Sequence, residues 1–375
     1  MRLADLSEVE GKNHIMLTPK QRLLRALRCQ KVDRVPWAPF LAYWWESQPA
    51  EVQAKGQIEV LRAMGADPLL RGFPGPYRVI HSNCQERSWV EGKRRITELQ
   101  TTAGCLRWVH VYSSHGNTWF LWEHPLKTEG DFRIFEAYLD DIRIEPDYEL
   151  LANAMAEHGE NALLLPLVGL FMKTGFQSML EHWVGTEELV YALADFPETV
   201  LDVLGRLRYL DVLTVKIAAR SPGEAFIFWE DTSTTNISPK WFRAYVAPAI
   251  QEWAEILHAN GKLLVHHACG HMRALLPVEA ELGIDAIDSL TPPPTGDVEL
   301  WEARNVLGQD VCIIGGIDPV VFLNSTLAEL EAYVCRLVSR IPPEGLIVAN
   351  SDSCPPGVSF DKFRLVGQIL REVAD

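Results

Sequence analysis

Short apolar runs alternate with longer stretches of helical periodicity along most of the chain. Helical spacing of apolar residues is clear at 241–260 and 326–341, and such alternation is typical of a parallel sheet covered by helices. The alternative is an open doubly wound sheet, but its usual Gly-rich nucleotide turn after an early strand does not occur in the sequence. Eight runs have the length of a strand: 35–40, 68–73, 163–167, 225–231, 263–270, 285–290, 311–318 and 346–352. Because eight strands close a barrel, the predicted α/β fold is a (β/α)₈ TIM barrel.

The segment 78–150 interrupts this alternation. Its stretch 101–126 is rich in β-branched and aromatic residues on both sides of a Ser-Ser-His-Gly-Asn sequence, which favours an antiparallel hairpin. We therefore predict a hairpin region inserted between the second and third barrel strands. Near the start of the chain, Thr18-Pro19 matches a helix N-cap followed by a first-turn proline. Residues 1–17 are thus predicted to be a polar extension, and residues 18–375 a single barrel domain.

Composition excludes several classes of partner. The 375-residue chain carries a net charge of −15, whereas binding to nucleic acids or anionic membranes depends on clustered lysine and arginine. No run approaches the roughly 20 apolar residues of a membrane helix, and the first residues lack the apolar centre of a signal peptide. Seven cysteines, odd in number and widely spaced, indicate reduced thiols rather than a disulfide framework. We therefore predict a cytoplasmic protein that binds neither nucleic acids nor membranes.

Titratable and thiol groups gather at the predicted carboxyl ends of the strands, where barrel enzymes carry their active sites. Residues two apart on a strand point to the same side, so His267 and Cys269 can bind one ion. A loop over the barrel mouth could bring Cys354 to the same place. One imidazole and two thiolates suit Zn²⁺ and leave a fourth position for water or substrate. The alternative stays open that the two cysteines are small buried apolar residues.

Acidic and aromatic residues occur at the same rim. Glu230 and Asp231 end the fourth predicted strand, where a barrel enzyme keeps a proton donor or a residue that supports a metal ligand. For Asp231 the alternative is a structural role as a helix cap. Trp44 follows the first strand and Trp229 lies near the end of the fourth. Together with Asp288, these two residues are predicted to line a substrate pocket, which would suit a flat or apolar substrate. The alternative is that the tryptophans simply cover the rim of the barrel.

Four segments carry a resemblance to a known family. They read TPKQRLLRALRCQKVDRVPW at 18–37, WEDTSTTNISPKWFRAYVAPAI at 229–250, HHACGHMRALLPVEAELGIDAIDSL at 266–290 and CIIGGIDP at 312–319. These motifs resemble the uroporphyrinogen decarboxylase superfamily, whose fold is a (β/α)₈ barrel. The resemblance runs from about residue 18 to the C-terminus and is strongest over 225–360.

The resemblance implies one of two chemistries. Decarboxylases of the superfamily carry no metal and hold the carboxylates of a tetrapyrrole with N-terminal arginines, but residues 35–49 here contain no arginine. The other branch contains zinc methyltransferases that work with corrinoid proteins. Their motif, His-x-Cys and a later Cys, falls on His267, Cys269 and Cys354. Related cobalamin-independent methionine synthases add a Glu ligand after the next strand; Asp288 could substitute for it here, or could serve as a cap or a buried polar residue.

The predicted function is zinc-dependent methyl transfer between a corrinoid and a thiol or an O-, N- or S-methyl substrate. No corrinoid-binding Asp-x-His-x-x-Gly motif occurs in the chain, so the corrinoid is expected on a partner protein. Two other hypotheses remain: a metal-free decarboxylase-like lyase acting on a smaller acid, and a non-catalytic barrel that binds a corrinoid or tetrapyrrole. The metal content of the purified protein separates the first hypothesis from the other two.

Overall fold

The computed structural model describes residues 16–114 and 118–373. Residues 1–15, nearly all of the predicted extension, lie outside the described part. The strands are β1 (Leu69–Phe73), β2 (Tyr77–Ile80), β3 (Gln85–Glu91), β4 (Arg94–Gln100), β5 (Cys105–Ser113), β6 (Thr118–Glu123), β7 (Arg143–Pro146), β8 (Leu163–Pro166), β9 (Ala225–Glu230), β10 (Leu263–Ala268), β11 (Ala286–Leu290), β12 (Cys312–Ile317) and β13 (Leu346–Asn350).

Helices separate most of these strands. They are α1 (Pro19–Leu27), α2 (Ala42–Glu46), α3 (Ala50–Gln53), α4 (Gln57–Ala63), α5 (Glu129–Asp140), α6 (Glu149–His158), α7 (Gly175–Ser178), α8 (Thr186–Asp195), α9 (Pro197–Arg220), α10 (Pro239–Trp241), α11 (Ala247–His258), α12 (Leu276–Glu279), α13 (Leu300–Leu307), α14 (Pro319–Asn324), α15 (Leu327–Val338) and α16 (Phe360–Glu372). Single turns of π-helix occupy Met179–Trp183 and Phe242–Val246, and a 3₁₀ turn occupies Gly159–Asn161. In the described ranges, no helix is both long enough and apolar enough to span a bilayer.

Seven of the eight predicted barrel segments form parallel strands. Five of them make one sheet in the order β13-β12-β11-β10-β9, and β1 pairs with β8. The first segment, 35–40, is not a continuous strand, because only Trp37 forms a parallel bridge, to Val348. Pro36 and Pro39 explain the difference, since proline has no N–H to donate to a strand ladder.

Single contacts connect the predicted barrel segments that do not pair as continuous strands. Leu167, just after β8, forms a parallel bridge to Ile227 of β9. The amide of Asp67 donates to the carbonyl of Trp37 at 2.7 Å, which joins the first segment to the residues that precede β1. The parallel strands thus form a five-stranded sheet and a separate pair that are linked by single bridges, and closure into a barrel stays a prediction.

The inserted region is larger than the predicted hairpin. β5 and β6 form that hairpin, whose turn residues 115–117 lie outside the described residues, but they belong to a four-stranded antiparallel sheet in the order β3-β4-β5-β6. β2 and β7 form a separate antiparallel pair. The sequence pattern missed β3 because nearly all of its side chains are exposed, so no apolar alternation marks it.

Alternate side chains of the parallel strands form one inner apolar cluster. This follows from the two-residue period of a strand, which sends neighbouring side chains to opposite faces. Leu23, Leu24 and Leu27 of α1 pack against this cluster, beside residues at the amino ends of the strands. Helix α1 therefore lies at the amino ends of the strands, away from their carboxyl ends. The strand residues of the cluster are Leu69, Leu163, Leu165, Ala225, Ile227, Leu263, Val265, Ala286, Cys312, Ile314, Ile347 and Ala349.

Buried ion pairs fix α1 to the base of the parallel strands. The fully buried carboxylate of Asp67 accepts from Arg22 at 2.5 Å and from Arg34 at 2.7 and 2.8 Å. Arg22 also donates to both oxygens of Asp33 at 2.6 Å. The charged residues of the segment 18–37 thus have structural partners at the amino ends of the strands, away from the carboxyl ends.

Candidate metal centre

His267 lies near the end of β10 and is oriented by a chain of buried charges. Its Nδ1 atom is 2.9 Å from Oδ2 of Asp288, whose other oxygen accepts from Nε of Arg71 at 2.8 Å. Burial disfavours a charged Asp288, but Arg71 and the hydrogen bond with His267 outweigh it and lower the pKa of Asp288. We therefore assign the ring proton to Nδ1, where an ionised carboxylate accepts it. The lone pair of Nε2 then faces away from Asp288 and is available to a metal.

Cys269 lies among carboxylates at the same strand end. Its sulfur is 4.0 Å from Oδ1 of Asp231. Burial, followed by the charges of Asp352, Asp231 and Glu181, raises the pKa of the Cys269 thiol well above its usual range. Oδ1 of Asp352 is also 4.0 Å from Nε2 of His267. Two pairs of possible metal ligands, His267–Asp352 and Cys269–Asp231, are therefore gathered at the carboxyl ends of β9, β10 and β13.

This donor set fits a zinc ion. Zn²⁺ accepts imidazole nitrogen, thiolate sulfur and carboxylate oxygen as ligands. Lys173, a nearby cation, is already paired with Glu181 at 2.6 Å, so the acidic groups around Cys269 exceed the positive charge beside them. A divalent cation would offset the charges that now disfavour a Cys269 thiolate, and would stabilise that thiolate by binding it.

Cys354 lies apart from this group. It is fully buried in an apolar cluster, its amide donates to the carbonyl of Phe40, and its carbonyl accepts from the amide of Trp44. Within residues 16–114 and 118–373, His267 and Cys269 do not form a set whose ligand atoms all lie within 4.8 Å of one another, whether the third ligand is Cys354, Asp231 or Asp352. The assignment of Cys354 as a zinc ligand stays a prediction.

One other trio does meet that distance, and it has a structural explanation. His81, Cys84 and Asp141 have ligand atoms within 4.8 Å of one another. The Asp141 carboxylate, however, accepts hydrogen bonds from the amides of Ser82, Asn83 and Cys84, and from the Asn83 side chain. These bonds lower its pKa. Asp141 therefore stabilises the turn between β2 and β3.

Glu230, a predicted catalytic residue, belongs to a buried network on the opposite face of the strands. One of its oxygens accepts from the amide and hydroxyl of Thr174 at 2.8 and 2.6 Å, and the other is 3.4 Å from Nε2 of His266. Nδ1 of His266 is 3.0 Å from Glu279. Burial opposes a charged ring, but the two glutamates outweigh it and raise the pKa of His266 to about 10. A catalytic role for Glu230 stays a prediction, and these contacts give it a structural role.

The predicted aromatic residues occupy different places. The ring of Trp229 lies 6.3 Å from that of His267, and Phe40 lies 6.1 Å from His267. Trp44 is instead buried against α16, with its indole N–H donating to the carbonyl of Val358 at 2.8 Å. Trp229 therefore stands beside the candidate ligand, whereas Trp44 supports the segment that carries Cys354.

A cavity of about 320 Å³ lies between the inserted sheet and the loop after β8. Its aromatic wall includes Trp108, Tyr138, Phe171 and Trp183. Two contacts connect its walls to the candidate site: the carbonyl of Met172 accepts from the amide of Trp229, and Glu181, in the same π-turn as Trp183, accepts from the amide of Asp231. The volume and apolar lining suit part of a small organic ligand.

Sequence reasoning missed two residues of this site. Arg71 is the single charged residue of the run 68–73, and that isolation was a usable signal, because a charge in a buried strand needs a partner. Asp352 follows the last strand, but nothing in the neighbouring sequence indicates that its side chain points in a different direction from that of Cys354. Only the backbone path separates the two.

Comparison with known proteins agrees with this architecture. The profile described as uroporphyrinogen decarboxylase (URO-D) matches residues 184–373, half of the chain. A uroporphyrinogen decarboxylase of Gloeobacter violaceus is 25% identical over 147 residues, which are 38% of this chain and 40% of that protein. A methylated-thiol–coenzyme M methyltransferase of Methanosarcina mazei is 27% identical over 159 residues, 42% of this chain and 40% of that protein. The matched regions thus span well under two thirds of either relative.

The chain belongs to the uroporphyrinogen decarboxylase family, as its sequence motifs predicted. The similarity extends to the methyltransferase branch, which was the branch predicted. A solved structure, a methyltransferase from Methanosarcina mazei, has a TM-score of 0.64 at 12% identity and covers 96% of this chain and 100% of that one. At that identity it supports a shared α/β fold.

Proposed function

We propose that this protein is a zinc-dependent methyltransferase built on a closed (β/α)₈ barrel. It moves a methyl group between a corrinoid, carried by a partner protein, and a thiol or an O-, N- or S-methyl substrate. Zn²⁺, when bound by His267 and Cys269, supplies Lewis-acid activation of the heteroatom that gains or loses the methyl group.

The observation that carries this proposal is the orientation of His267 by Asp288 and Arg71. A carboxylate that accepts the remote ring proton is the usual support of a metal-bound histidine. Here that support lies deep in the fold and directs Nε2 toward the acidic group around Cys269. His266 differs from His267 in this respect, because both of its ring nitrogens face buried glutamates and neither is left for a metal.

The other residues would position the substrate and handle its proton. Burial, and then the charge of Asp352, raise the pKa of Asp231 although Asn236 donates to it. Asp231 is therefore a weaker acid than an exposed aspartate, and its place beside Cys269 suits it to proton exchange with the substrate. Trp229 and Phe40 shield His267 from water, and the neighbouring cavity would receive the apolar part of a methyl donor.

Metal analysis and a methyl-transfer assay test the proposal together. Protein purified without chelators is expected to hold about one zinc per chain, and His267→Ala and Cys269→Ser are expected to lose it. Conversion of methylcob(III)alamin to cob(I)alamin with thiol acceptors, or the reverse reaction with methyl ethers, amines and thioethers, can be followed by absorbance. Wild-type protein that holds no metal and transfers no methyl group in either direction would exclude this function.

One observation favours the metal-free lyase as a second candidate. Nη1 of Arg71 is buried and has no hydrogen-bond partner among the described residues, and a guanidinium suits a substrate carboxylate. This function requires that chelator-treated protein release CO₂ from a small carboxylic acid and that Cys269→Ser keep that activity. Loss of activity on chelation would exclude it.

A further inference from the structure

The cavity between the inserted sheet and the loop after β8 has walls of interlocking aromatic rings. The ring centroid of Trp183 lies 5.0 Å from that of Phe171, 6.0 Å from that of Tyr138 and 6.2 Å from that of Trp108. The fully buried ring of Phe135 packs on Trp183 at 4.3 Å. These tilted and edge-to-face pairs are close to the arrangements that aromatic rings prefer. The rings therefore hold one another in place, and the cavity keeps a fixed shape.

Two polar atoms of the residues in this wall are buried and unpaired. Nε1 of Trp183 and Nδ1 of His110 have no hydrogen-bond partner among the described residues, and both side chains line the cavity. Trp183 is only 9% exposed, and its neighbouring rings prevent it from turning toward solvent. An indole N–H can only donate, and a buried donor without an acceptor is unfavourable. A ligand in the cavity can supply the acceptor oxygen that Trp183 requires.

The lining of the cavity offers no positive charge to a ligand. Among the described residues that line it, none is a lysine or arginine, and Glu86 is the one acidic residue. Burial, and then the charge of Arg95, lower the pKa of His110. Burial, and then the charge of Lys173, lower the pKa of His182 to about 4, so both histidines are neutral at pH 7. An anionic ligand would therefore lose its hydration without gaining a counter-charge.

The size and chemistry of the cavity select one class of ligand. A dry apolar cavity of about 150 Å³ holds benzene, so a volume of about 320 Å³ has room for one substituted ring. Aromatic walls also attract quaternary ammonium groups, but such a group has no oxygen to accept from Trp183. We infer that the cavity binds an uncharged arene with an acceptor oxygen, which packs on the rings and accepts from Nε1 of Trp183. An aryl methyl ether is the member of this class that carries a methyl group to donate.

The role of this ligand as a methyl donor rests on the proposed function, whereas its binding requires neither metal nor corrinoid. The carbonyl of Met172, in the cavity wall, accepts from the amide of Trp229 at 2.7 Å. Glu181, in the same π-turn as Trp183, accepts from the amide of Asp231 at 3.0 Å, so the cavity adjoins the candidate metal centre. In the transfer, the O–CH₃ bond breaks and a Co–CH₃ bond forms with both electrons supplied by the reduced corrinoid. The ether oxygen keeps the electrons of the broken bond and takes up one proton, which yields a phenol.

Equilibrium dialysis of the full-length protein tests the ligand class. We expect para-methoxytoluene to bind about tenfold more tightly than para-methoxybenzoate, which finds no counter-charge, or benzyltrimethylammonium, which offers no acceptor. Trp183→Phe keeps an aromatic ring but removes the N–H, and should weaken binding of para-methoxytoluene about tenfold. Binding of para-ethyltoluene, which has CH₂ in place of the oxygen, should change less than about twofold, since it makes no hydrogen bond.

Trp253→Phe is the matched control. Trp253 also has a buried Nε1 without a partner among the described residues, but it is fully buried in the core and does not line the cavity. Its replacement should leave the affinity for para-methoxytoluene within about twofold of wild type, because only a donor beside the ligand contributes to binding. Circular dichroism of each variant shows whether it is folded.

The outcomes separate this inference from the proposed function. Equal losses of the ether and the hydrocarbon in Trp183→Phe would overturn the hydrogen bond, and tighter binding of either charged probe to wild type would overturn the ligand class even where that variant does not fold. Zinc-dependent methyl transfer from an amine or thioether, without binding of the ether, would overturn the inference and leave the proposed function. Protein that binds the ether but holds no zinc and transfers no methyl group would do the reverse.

Discussion

Asp288→Asn gives the sharpest test of whether the fold orients His267 for the proposed metal binding. The substitution keeps the shape of the side chain, and its oxygen can still accept from Nε of Arg71. Its amide nitrogen would then face Nδ1 of His267, now 2.9 Å from a carboxylate oxygen. Since an amide N–H can only donate, His267 must carry its proton on Nε2, which removes the lone pair that binds metal. We expect a 10–100-fold loss of zinc affinity, about 1.4–2.7 kcal/mol.

Asp285→Asn is the matched control. Asp285 lies next to the start of β11 and also binds a histidine, with Nε2 of His258 at 2.8 Å, while accepting from the amide of Leu264 at 2.7 Å. Asp285 has no contact with the candidate site, so the zinc affinity of the Asp285→Asn variant should equal that of wild type. The zinc affinities of wild type and both variants can be compared by chelator competition at pH 7.5, on protein shown to be folded. Equal affinity of Asp288→Asn and wild type would refute the proposed orientation of His267.

Four further predictions follow from the geometry. His266→Gln leaves Glu230 and Glu279 buried without a counter-charge and should lower the free energy of unfolding by about 3–5 kcal/mol. Because the pKa of His266 is raised to about 10, urea titrations should show the full loss below about pH 6.5 and a smaller loss as the pH rises toward 10. A loss that is independent of pH would refute the ionic account. Asp67→Ala should lower the free energy of unfolding by a similar amount in the same titration, since Arg22 and Arg34 lose their shared carboxylate. A loss below about 1 kcal/mol would show that these ion pairs contribute little. Gly72→Ala should lower thermal stability more than Gly92→Ala. Both glycines have positive φ, but only the Cβ added at residue 72 would collide with the Trp229 ring; equal losses would mean that the ring moves freely. Leu121→Trp should fill the cavity beside the site and raise KM for an apolar methyl donor at unchanged zinc content, and an unchanged KM would place the substrate elsewhere.

The parallel part of the fold was predictable because its strands are buried on both faces. Runs such as 225–231 and 311–318 are almost wholly apolar, which gives a strong signal even without alternation. The inserted sheet was only half predicted. β5 and β6 carry aromatic and β-branched residues, whereas β3 has mostly polar, exposed side chains and is stabilised by pairing with β4 rather than by burial.

The placement of His267 and Cys269 at one strand end was also predictable, since it depends on local geometry, whereas their role as metal ligands stays a prediction. His267 and Cys269 are two apart at the end of a strand, and the period of two puts them on one side. His266, by the same rule, faces the helices and stacks on Phe228. The pairing of Arg71 with Asp288 was not predictable, because the two residues are 217 positions apart and lie on β1 and β11, which do not pair with each other.

The same rule of two fails at the other end of the site, and the reason is conformational. Asp352 and Cys354 are also two residues apart, but the last strand ends at Asn350, so the strand period no longer applies to them. Asp352 has a positive φ, which lies outside the strand conformation. The two residues contact different parts of the fold: the amide of Asp352 donates to Ser289, whereas the backbone of Cys354 bonds to Phe40 and Trp44. A motif records which residue types occur at which spacing, whereas a ligand set depends on where each side chain points. Where the chain leaves regular structure, the spacing of two residues in a motif no longer indicates that their side chains share a site.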